Sequence, residues 1–435
     1  MVMENSYDQC LKTMFGLRRF GIKLGLETIG RILEGLGNPQ EKFPSIHVAG
    51  SNGKGSIASA LSTILRLAGL KVGLYTSPHL VKFNERICIG AKPISDERVV
   101  KSHEAVKEIH PGDREPTFFE FATAMAMHEF GRAGVDLAII ETGMGGRLDA
   151  TNILKPSISI ISNISLEHRM YLGNTIAEIT GEKGGIIKEG IPVVTGVRQK
   201  SAISVLEKIA DEKSAPFYRL GDHFRVRRSG NGAFNYYGMN QTHRGIRTGL
   251  LGKHQVDNAA LVLAACEILD ETGVKIPEPR VRDGLAETRW PGRLEIVSDS
   301  PMVILDGAHN LAAAHKLADF LSNDLAGRNI TLVAGILDDK PHAAMMKCLL
   351  PFCRKAIITS PKINRALPPE KLYETARGIM DDVSMVLDVG DAVEQAVAAA
   401  TPGDVICIAG SLYVVGEAKE ALEKIMPTSG SSIQA

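Results

Sequence analysis

Residues Ser45–Ser56, SIHVAGSNGKGS, combine side chains and backbone positions that can grip phosphate. A short apolar run (Ile46, His47, Val48, Ala49) stops at Gly50. Gly50, Gly53 and Gly55 then lie around Lys54, with Asn52 between, and Ser56 opens an amphipathic stretch, SIASALSTILRLAGL. The pattern reads as strand, tight loop, helix. Glycines let the backbone curl so that successive N–H groups face one anion. The helix N-terminus adds partial positive charge. Lys54 supplies a full charge to the β/γ-phosphates and Ser56 a hydroxyl for magnesium. The expected ligand is a nucleoside triphosphate. The spacing departs from the usual G-x-x-x-x-G-K-[ST]: Gly55 separates Lys54 from Ser56, and Gly50 lies three residues before Gly53. The competing reading is a glycine-rich turn that binds nothing.

Further residues with chemical capacity follow other apolar runs. In ETGMGGRLDATN (141–152), Glu141 at a strand end can hold magnesium opposite a phosphate loop, and Gly143, Gly145 and Gly146 let backbone approach a ligand. In SLEHRMYLGNTIAEITGEKGGIIKEG (165–190), His168 can ligate a metal through a neutral ring nitrogen, although alone it reads as a structural histidine. Lys183, beside Glu182 and before two glycines, alone reads as a surface lysine. TSPHLVKFNERI (76–87) carries Ser77, His79, Asn84 and Arg86, with Ser77 able to coordinate metal. Nearer the C-terminus, ILDGAHN (304–310) carries Asp306, His309 and Asn310, and AGSLYVVGE (409–417) carries Ser411. Each alone could be a capped turn. No G-x-S-x-G elbow accompanies the Asp–His pair.

The elements that must position these residues alternate strand and helix. SIHVAG, KVGLYTS (71–77), DLAIIETG (136–143), SISIISNIS (157–165) and IPVVTG (191–196) read as buried parallel strands. Helical stretches such as EFATAMAMHEF (120–130) and AISVLEKIADE (202–212) lie between them. The fold class is α/β: a doubly wound, mostly parallel P-loop sheet, whose ligands sit beyond the C-terminal strand ends. Residues 217–250, broken by Gly and Asn, read as a small antiparallel subregion, and KHQVDNAALVLAACEILDETG as an amphipathic helix. A boundary at Pro291–Gly292 ends a first domain, 1–290, and alternation restarts in a smaller Rossmann-like α/β domain, 291–435. The tail after Pro427, TSGSSIQA, is expected to be disordered.

Composition narrows the function classes. The 435 residues carry 50 Lys+Arg against 50 Asp+Glu, so no global field draws nucleic acid or anionic membrane. No apolar run reaches the roughly 20 residues that span a bilayer. The N-terminus, MVMENSYDQCLKTMF, lacks the basic-then-apolar order of a signal peptide. Six scattered cysteines without a C-x-x-C pair fit a reduced, cytoplasmic protein.

Taken in order, HVAGSNGKGS, TSPHLVKFNERI, TFFEF, ETGMGGRLDATN, ISNISLEH with YLG, EKGGIIK, GKHQVDNAAL, WPGRLE, LDGAHN and GSLYVVGE resemble the folylpolyglutamate synthase/dihydrofolate synthase family of Mur-type, ATP-dependent amide ligases. The resemblance spans nearly the whole chain. It implies ATP on the 50–56 loop with Lys54 on its phosphates, and one magnesium held by Ser77 and Glu141 with the γ-phosphate. A second magnesium would involve His168. Lys183 matches a lysine carbamylated by carbon dioxide. Asn258, Arg293 and Asp306 match contacts to ATP across a domain cleft, and His309 and Ser411 match positions near the incoming glutamate. Phe119 and Asp149 match positions that contact the pterin where dihydropteroate is used. Departures are Ser51 for Thr, Glu167-His168 for Asp-His, Gly184 for Ala, and the absence of Pro-His after Asn310.

The implied reaction joins L-glutamate to a pterin acid through an acyl phosphate. The intact LDATN run points to dihydropteroate and reduced folates both being substrates of a monomeric enzyme, with a polyglutamylase acting on reduced folates alone as the alternative. A Mur-type cell-wall ligase would normally carry a further N-terminal domain, whereas about 45 residues precede this loop. A nucleotide switch would need a base-reading Asn-Lys-x-Asp motif, which does not occur. A dead binding protein would be expected to lack Lys54, Glu141 or His168.

Overall fold

The computed structural model describes residues 2–17, 21, 23–229 and 232–426. The TSGSSIQA tail lies outside the described residues. The chain divides into two compact units: residues up to Gly249 with Gln255–Arg289, and Leu250–His254 with residues from Trp290 onward.

The first unit is built on β1 (Ser45–Ala49), β2 (Val72–Tyr75), β3 (Ile87–Ile89), β4 (Lys92–Pro93), β5 (Leu137–Glu141), β6 (Ile158–Ile161), β7 (Val193–Thr195) and β8 (Phe217–Arg219). Their order in the sheet is β4-β3-β2-β5-β1-β6-β7-β8. Strands β2, β5, β1, β6, β7 and β8 run parallel, and β3 and β4 add an antiparallel edge. Every residue of β1, β2, β5 and β6 is buried, as expected where helices cover both faces of a parallel sheet. The helix Lys54–Leu67 packs on β1, β2 and β5. One core gathers Tyr75, Phe83, Phe121, Phe130 and Ile140, and another Ile161, Ile164, Ile179, Ile186 and Leu206.

A separate antiparallel sheet, β9 (Arg225–Arg228), β10 (Phe234–Tyr237) and β11 (Thr242–Ile246), follows. The sequence reading of 217–250 as wholly antiparallel is corrected at its start. Phe217–Arg219 pairs parallel with β7, because the helix Lys200–Glu212 returns the chain across the sheet and delivers a parallel neighbour. The helix His254–Glu271 is likewise not amphipathic. Gln255, Val256 and everything from Asn258 to Leu269 are buried, which makes it a core helix. Its Glu267 accepts hydrogen bonds from the Tyr236 hydroxyl at 2.6 Å and the Asn240 N–H at 2.7 Å, which hold the small sheet against it.

The second unit contains β12 (Glu295–Asp299), β13 (Met302–Asp306), β14 (Ile330–Ala334), β15 (Lys355–Ile358), β16 (Val383–Met385) and β17 (Val405–Ala409). The order is β12-β13-β17-β14-β15-β16, all parallel except the edge strand β12. Its core includes Ile304, Leu317, Leu332, Met345, Ile358 and Cys407.

Candidate active site

The sheet order places chemically capable residues side by side. In β2-β5-β1-β6, Ser77 follows β2, Glu141 ends β5, the glycine loop follows β1, and Asn163 follows β6. All four lie at the C-terminal edge of parallel strands, where loops diverge and backbone groups are available to a ligand.

The loop is fastened from β6. The Ser51 N–H donates to Asn163 O at 2.9 Å and the Asn52 N–H to Asn163 Oδ1 at 3.1 Å. Ser162 Oγ and Asn163 Nδ2 donate to Asn52 O at 2.6 and 2.8 Å. Gly50, at φ 140°, leaves no room for a side chain: an added Cβ would lie 1.9 Å from Ser162 Oγ. Gly53, at φ 86°, caps the helix Lys54–Leu67, and a Cβ there would lie 2.7 Å from Asn258 Oδ1. The helix thus begins at Lys54, with Gly55 and Ser56 in its first turn. Asn258 donates to Gln255 Oε1 at 2.8 Å, and Gln255 Nε2 donates to the Ser56 hydroxyl at 3.3 Å.

Two lysines converge on one carbonyl. Lys54 Nζ and Lys183 Nζ each donate to Gly50 O at 3.0 Å. Lys183 is not the surface residue its neighbours suggest. Its side chain is 2% exposed and pairs at 2.8 Å with Glu167, itself 7% exposed. Burial would raise the Glu167 carboxyl, but the Lys183 ammonium, with Lys54 behind it, brings it down to about 2. Burial draws Lys183 downward, opposed by Glu167. Lys183 therefore sits in a buried site with one carboxylate partner, Glu167, and a second cation, Lys54, nearby. Sequence reasoning tied Glu167 only to support of the neighbouring His168, as the departure from Asp, and not to Lys183.

The Ser77 N–H donates to Glu141 Oε2 at 3.2 Å, so serine and carboxylate meet at neighbouring strand ends, with Glu141 buried. Hard oxygen ligands of this kind suit magnesium. His168 sits half-buried in the loop after β6, at φ 46°, capping the short helix Arg169–Leu172. Among the described residues no three His, Cys, Asp or Glu side chains gather as a metal site.

Asp149 is buried, and its oxygens are engaged locally. Oδ1 accepts from the Thr151 N–H at 3.0 Å and hydroxyl at 2.5 Å, and Oδ2 from the Met144 N–H at 2.8 Å. Phe119 packs over Gly143, where an added Cβ would meet its ring at 2.5 Å. Both therefore shape one loop, 142–149. Arg147 ties that loop to the Lys183 helix through a 2.8 Å bridge to Glu182.

In the second unit, Asp306 is buried and accepts from the Leu294 and Ala308 N–H groups at 2.9 and 3.0 Å. Burial raises its carboxyl, and the charge of Arg293 opposes that rise. Arg293 donates to Gly292 O at 3.0 Å, and His309 Nδ1 lies 2.8 Å from Gly307 O. Ser411 is buried and caps the helix Leu412–Ile425, accepting from the Val414 N–H at 3.1 Å.

Comparison with known proteins adds identity to this geometry. The Mur ligase middle domain matches residues 48–266, and the Mur ligase glutamate ligase domain matches residues 292–412. The Bacillus subtilis dihydrofolate synthase/folylpolyglutamate synthase is 37% identical over 434 residues, covering 97% of this chain and 100% of that protein. The chain belongs to the folylpolyglutamate synthase/dihydrofolate synthase family of Mur-type, ATP-dependent ligases. Escherichia coli FolC in complex with DHPP and ADP superposes with a TM-score of 0.88 at 30% identity, over 96% of this chain and 98% of that one. The Yersinia pestis bifunctional enzyme complexed with AMPPNP and Mn gives 0.86 at 30% identity, over 96% and 98%. Family membership matches the resemblance drawn from the motifs, and the α/β architecture with a separate C-terminal sheet matches the fold class.

Proposed function

We propose that this chain is a cytoplasmic, monomeric ligase that joins L-glutamate to dihydropteroate and to reduced folates at the expense of ATP. The observation that carries the reading is the shared edge of β2-β5-β1-β6, which sets Ser77 with Glu141 and the Lys54 loop on adjacent strands. That is the arrangement phosphoryl transfer needs: a phosphate cradle, a fixed cation and a carboxylate for magnesium.

A carboxylate acylates poorly because its leaving group is oxide. In the proposed reaction a carboxylate oxygen of the acid attacks the γ-phosphorus, the bond to the β-phosphate oxygen breaks, and ADP leaves. The neutral amine of L-glutamate then attacks the acyl carbon, phosphate departs, and the amine proton passes to solvent. Lys54 turns from the loop carbonyls toward the β/γ-phosphates, and the N–H groups of Gly50–Ser56 orient them. Ser77 and Glu141 would hold one magnesium ion and His168 would contribute to a second, and such ions supply charge neutralisation on the transferring group. Asn258, through its packing on Gly53, fixes the loop, and the resemblance gives Arg293 and Asp306 to ATP and His309 and Ser411 to glutamate.

Carbamylation of Lys183 fits less simply. With Glu167 already at 2.8 Å, a carbamate would place two anions together in a buried site, so a bound cation would be required there. The engagement of both Asp149 oxygens favours a second reading, in which only reduced folates are used and Asp149 shapes the loop. Magnesium-dependent ADP release with L-glutamate, compared for 7,8-dihydropteroate, tetrahydrofolate and no acid, separates the two. Stimulation by both acids supports the bifunctional reading, tetrahydrofolate alone supports the second, and stimulation by neither refutes both.

A further inference from the structure

His47 lies in the middle of β1 and is fully buried. In the sequence it is one polar residue within an apolar run. Its Nε2 is 2.8 Å from Thr151 Oγ1, and Thr151, also fully buried, donates its hydroxyl to Asp149 Oδ1 at 2.5 Å. A threonine hydroxyl has one proton. With that proton directed at the Asp149 carboxylate, Thr151 can only accept from His47, so the imidazole carries its hydrogen on Nε2. Burial, and then the charge of Lys188, hold His47 at about 3, so the ring is neutral. Its Nδ1 is buried without a hydrogen-bond partner. An apolar side chain would fill β1 without orphaning a nitrogen, which is itself destabilising. What the imidazole alone adds is the Nε2–H donor.

The chain His47→Thr151→Asp149 therefore runs from the strand that delivers the phosphate loop, three residues before Gly50, to the carboxylate that pins Met144. Asp149 cannot rotate away without breaking its bonds to Thr151 and Met144, and Thr151 is braced from beneath by β1. Asn152 continues the bracing, with Nδ2 donating to Arg147 O at 2.9 Å and Gly185 O at 3.0 Å.

We propose that His47 and Thr151 are positioning residues that hold the Gly143–Asp149 loop in the shape that receives the acid substrate, in register with the phosphate loop. The assignment of that loop to the acid rests on the proposed function; the relay itself does not.

The test pairs two readouts on the full chain. Thr151→Val keeps the volume and removes the hydroxyl, and Thr151→Ser restores it. In Thr151→Val, amide hydrogen exchange across 143–149 accelerates by about tenfold or more, while exchange in the second unit is unchanged. KM for the acid rises about tenfold or more with kcat for the saturated enzyme within about threefold and ADP affinity unaltered; Thr151→Ser brings KM back. His47→Leu behaves as Thr151→Val does, and stands in for it if the valine variant fails to fold. Unchanged exchange in a folded Thr151→Val overturns the relay. Accelerated exchange with unchanged KM, or a serine variant as impaired as the valine one, overturns the positioning role. Parent enzyme that no pterin acid stimulates refutes the proposed function, and exchange alone then decides the relay.

Discussion

Replacing Glu167 by glutamine is expected to destabilise the nucleotide-binding unit strongly. The substitution keeps the shape of the side chain and leaves the Lys183 ammonium, 2% exposed, without its counter-charge. Breaking one partner of a buried pair typically costs about 3–5 kcal/mol. An independent figure comes from linkage. Glu167 is held at about 2 against 4.5 for a free glutamate, which corresponds to about 3 kcal/mol of folding stability at neutral pH. Because its folded value is depressed, that contribution is complete above pH 4.5 and is lost as pH falls toward 2. Burial of Lys183 opposes it, so the pair as a whole stabilises by less than the loss on removing one member. Glu167→Gln should therefore unfold at lower urea by the equivalent of about 3 kcal/mol at pH 7. The combined Glu167→Gln, Lys183→Met variant should recover a large part of that loss, since no unpaired charge remains. Urea unfolding followed by circular dichroism reads the first effect. The same measurement on the double variant reads the second. A Glu167→Gln protein within about 0.5 kcal/mol of the parent, or a double variant no better than the single, would refute the reasoning.

Three further outcomes are expected. Lys54→Met should fold normally and lose about 10²–10³-fold in kcat, measured as glutamate-dependent ADP release, because one preorganised cation on the transferring phosphoryl is gone. Gly53→Ala should lose about 1–2 kcal/mol from its left-handed backbone alone and raise KM for ATP, since its Cβ would press on Asn258; a KM within twofold of the parent would count against the loop geometry. With ¹³C-bicarbonate, a carbamate resonance on Lys183 should appear only when a divalent cation and nucleotide are present, and Lys183→Ala should lose activity that a short added carboxylate partly restores. An unimpaired alanine variant would sink that role.

Much of this site could be read from the residues because the chemistry and the local backbone coincide there. Gly50, Gly53 and Lys54 announce a phosphate loop, and Glu141 announces a carboxylate at a strand end, without knowledge of the sheet order. Lys183 shows where reading fails. Flanked by Glu182 and two glycines it looks solvated, and only the return of its helix beneath the phosphate loop buries it beside Glu167. Sequence proximity carries no signal for that contact, which joins residues on different segments. His47 was hidden for the opposite reason, as a single polar residue inside an apolar run. The helix His254–Glu271 misled because a few polar residues, Gln255, Asn258 and Glu267, resemble a solvent face while each has a buried partner or neighbour. Asp149, Asp306 and Ser411 were found as capable residues, yet their oxygens serve loop and helix ends as well.

The central claim is that this edge of the sheet activates a carboxylate by transfer of the γ-phosphoryl group. The most direct test uses tetrahydrofolate bearing ¹⁸O in its terminal carboxylate, with ATP, magnesium and L-glutamate, and mass analysis of the phosphate released. One ¹⁸O atom per phosphate is predicted, because the oxygen that attacks phosphorus departs with it when the amide forms. Unlabelled pyrophosphate alongside labelled AMP would mean that the acid is activated by adenylylation, and the catalytic roles of Lys54, Ser77 and Glu141 in γ-phosphoryl transfer would be wrong.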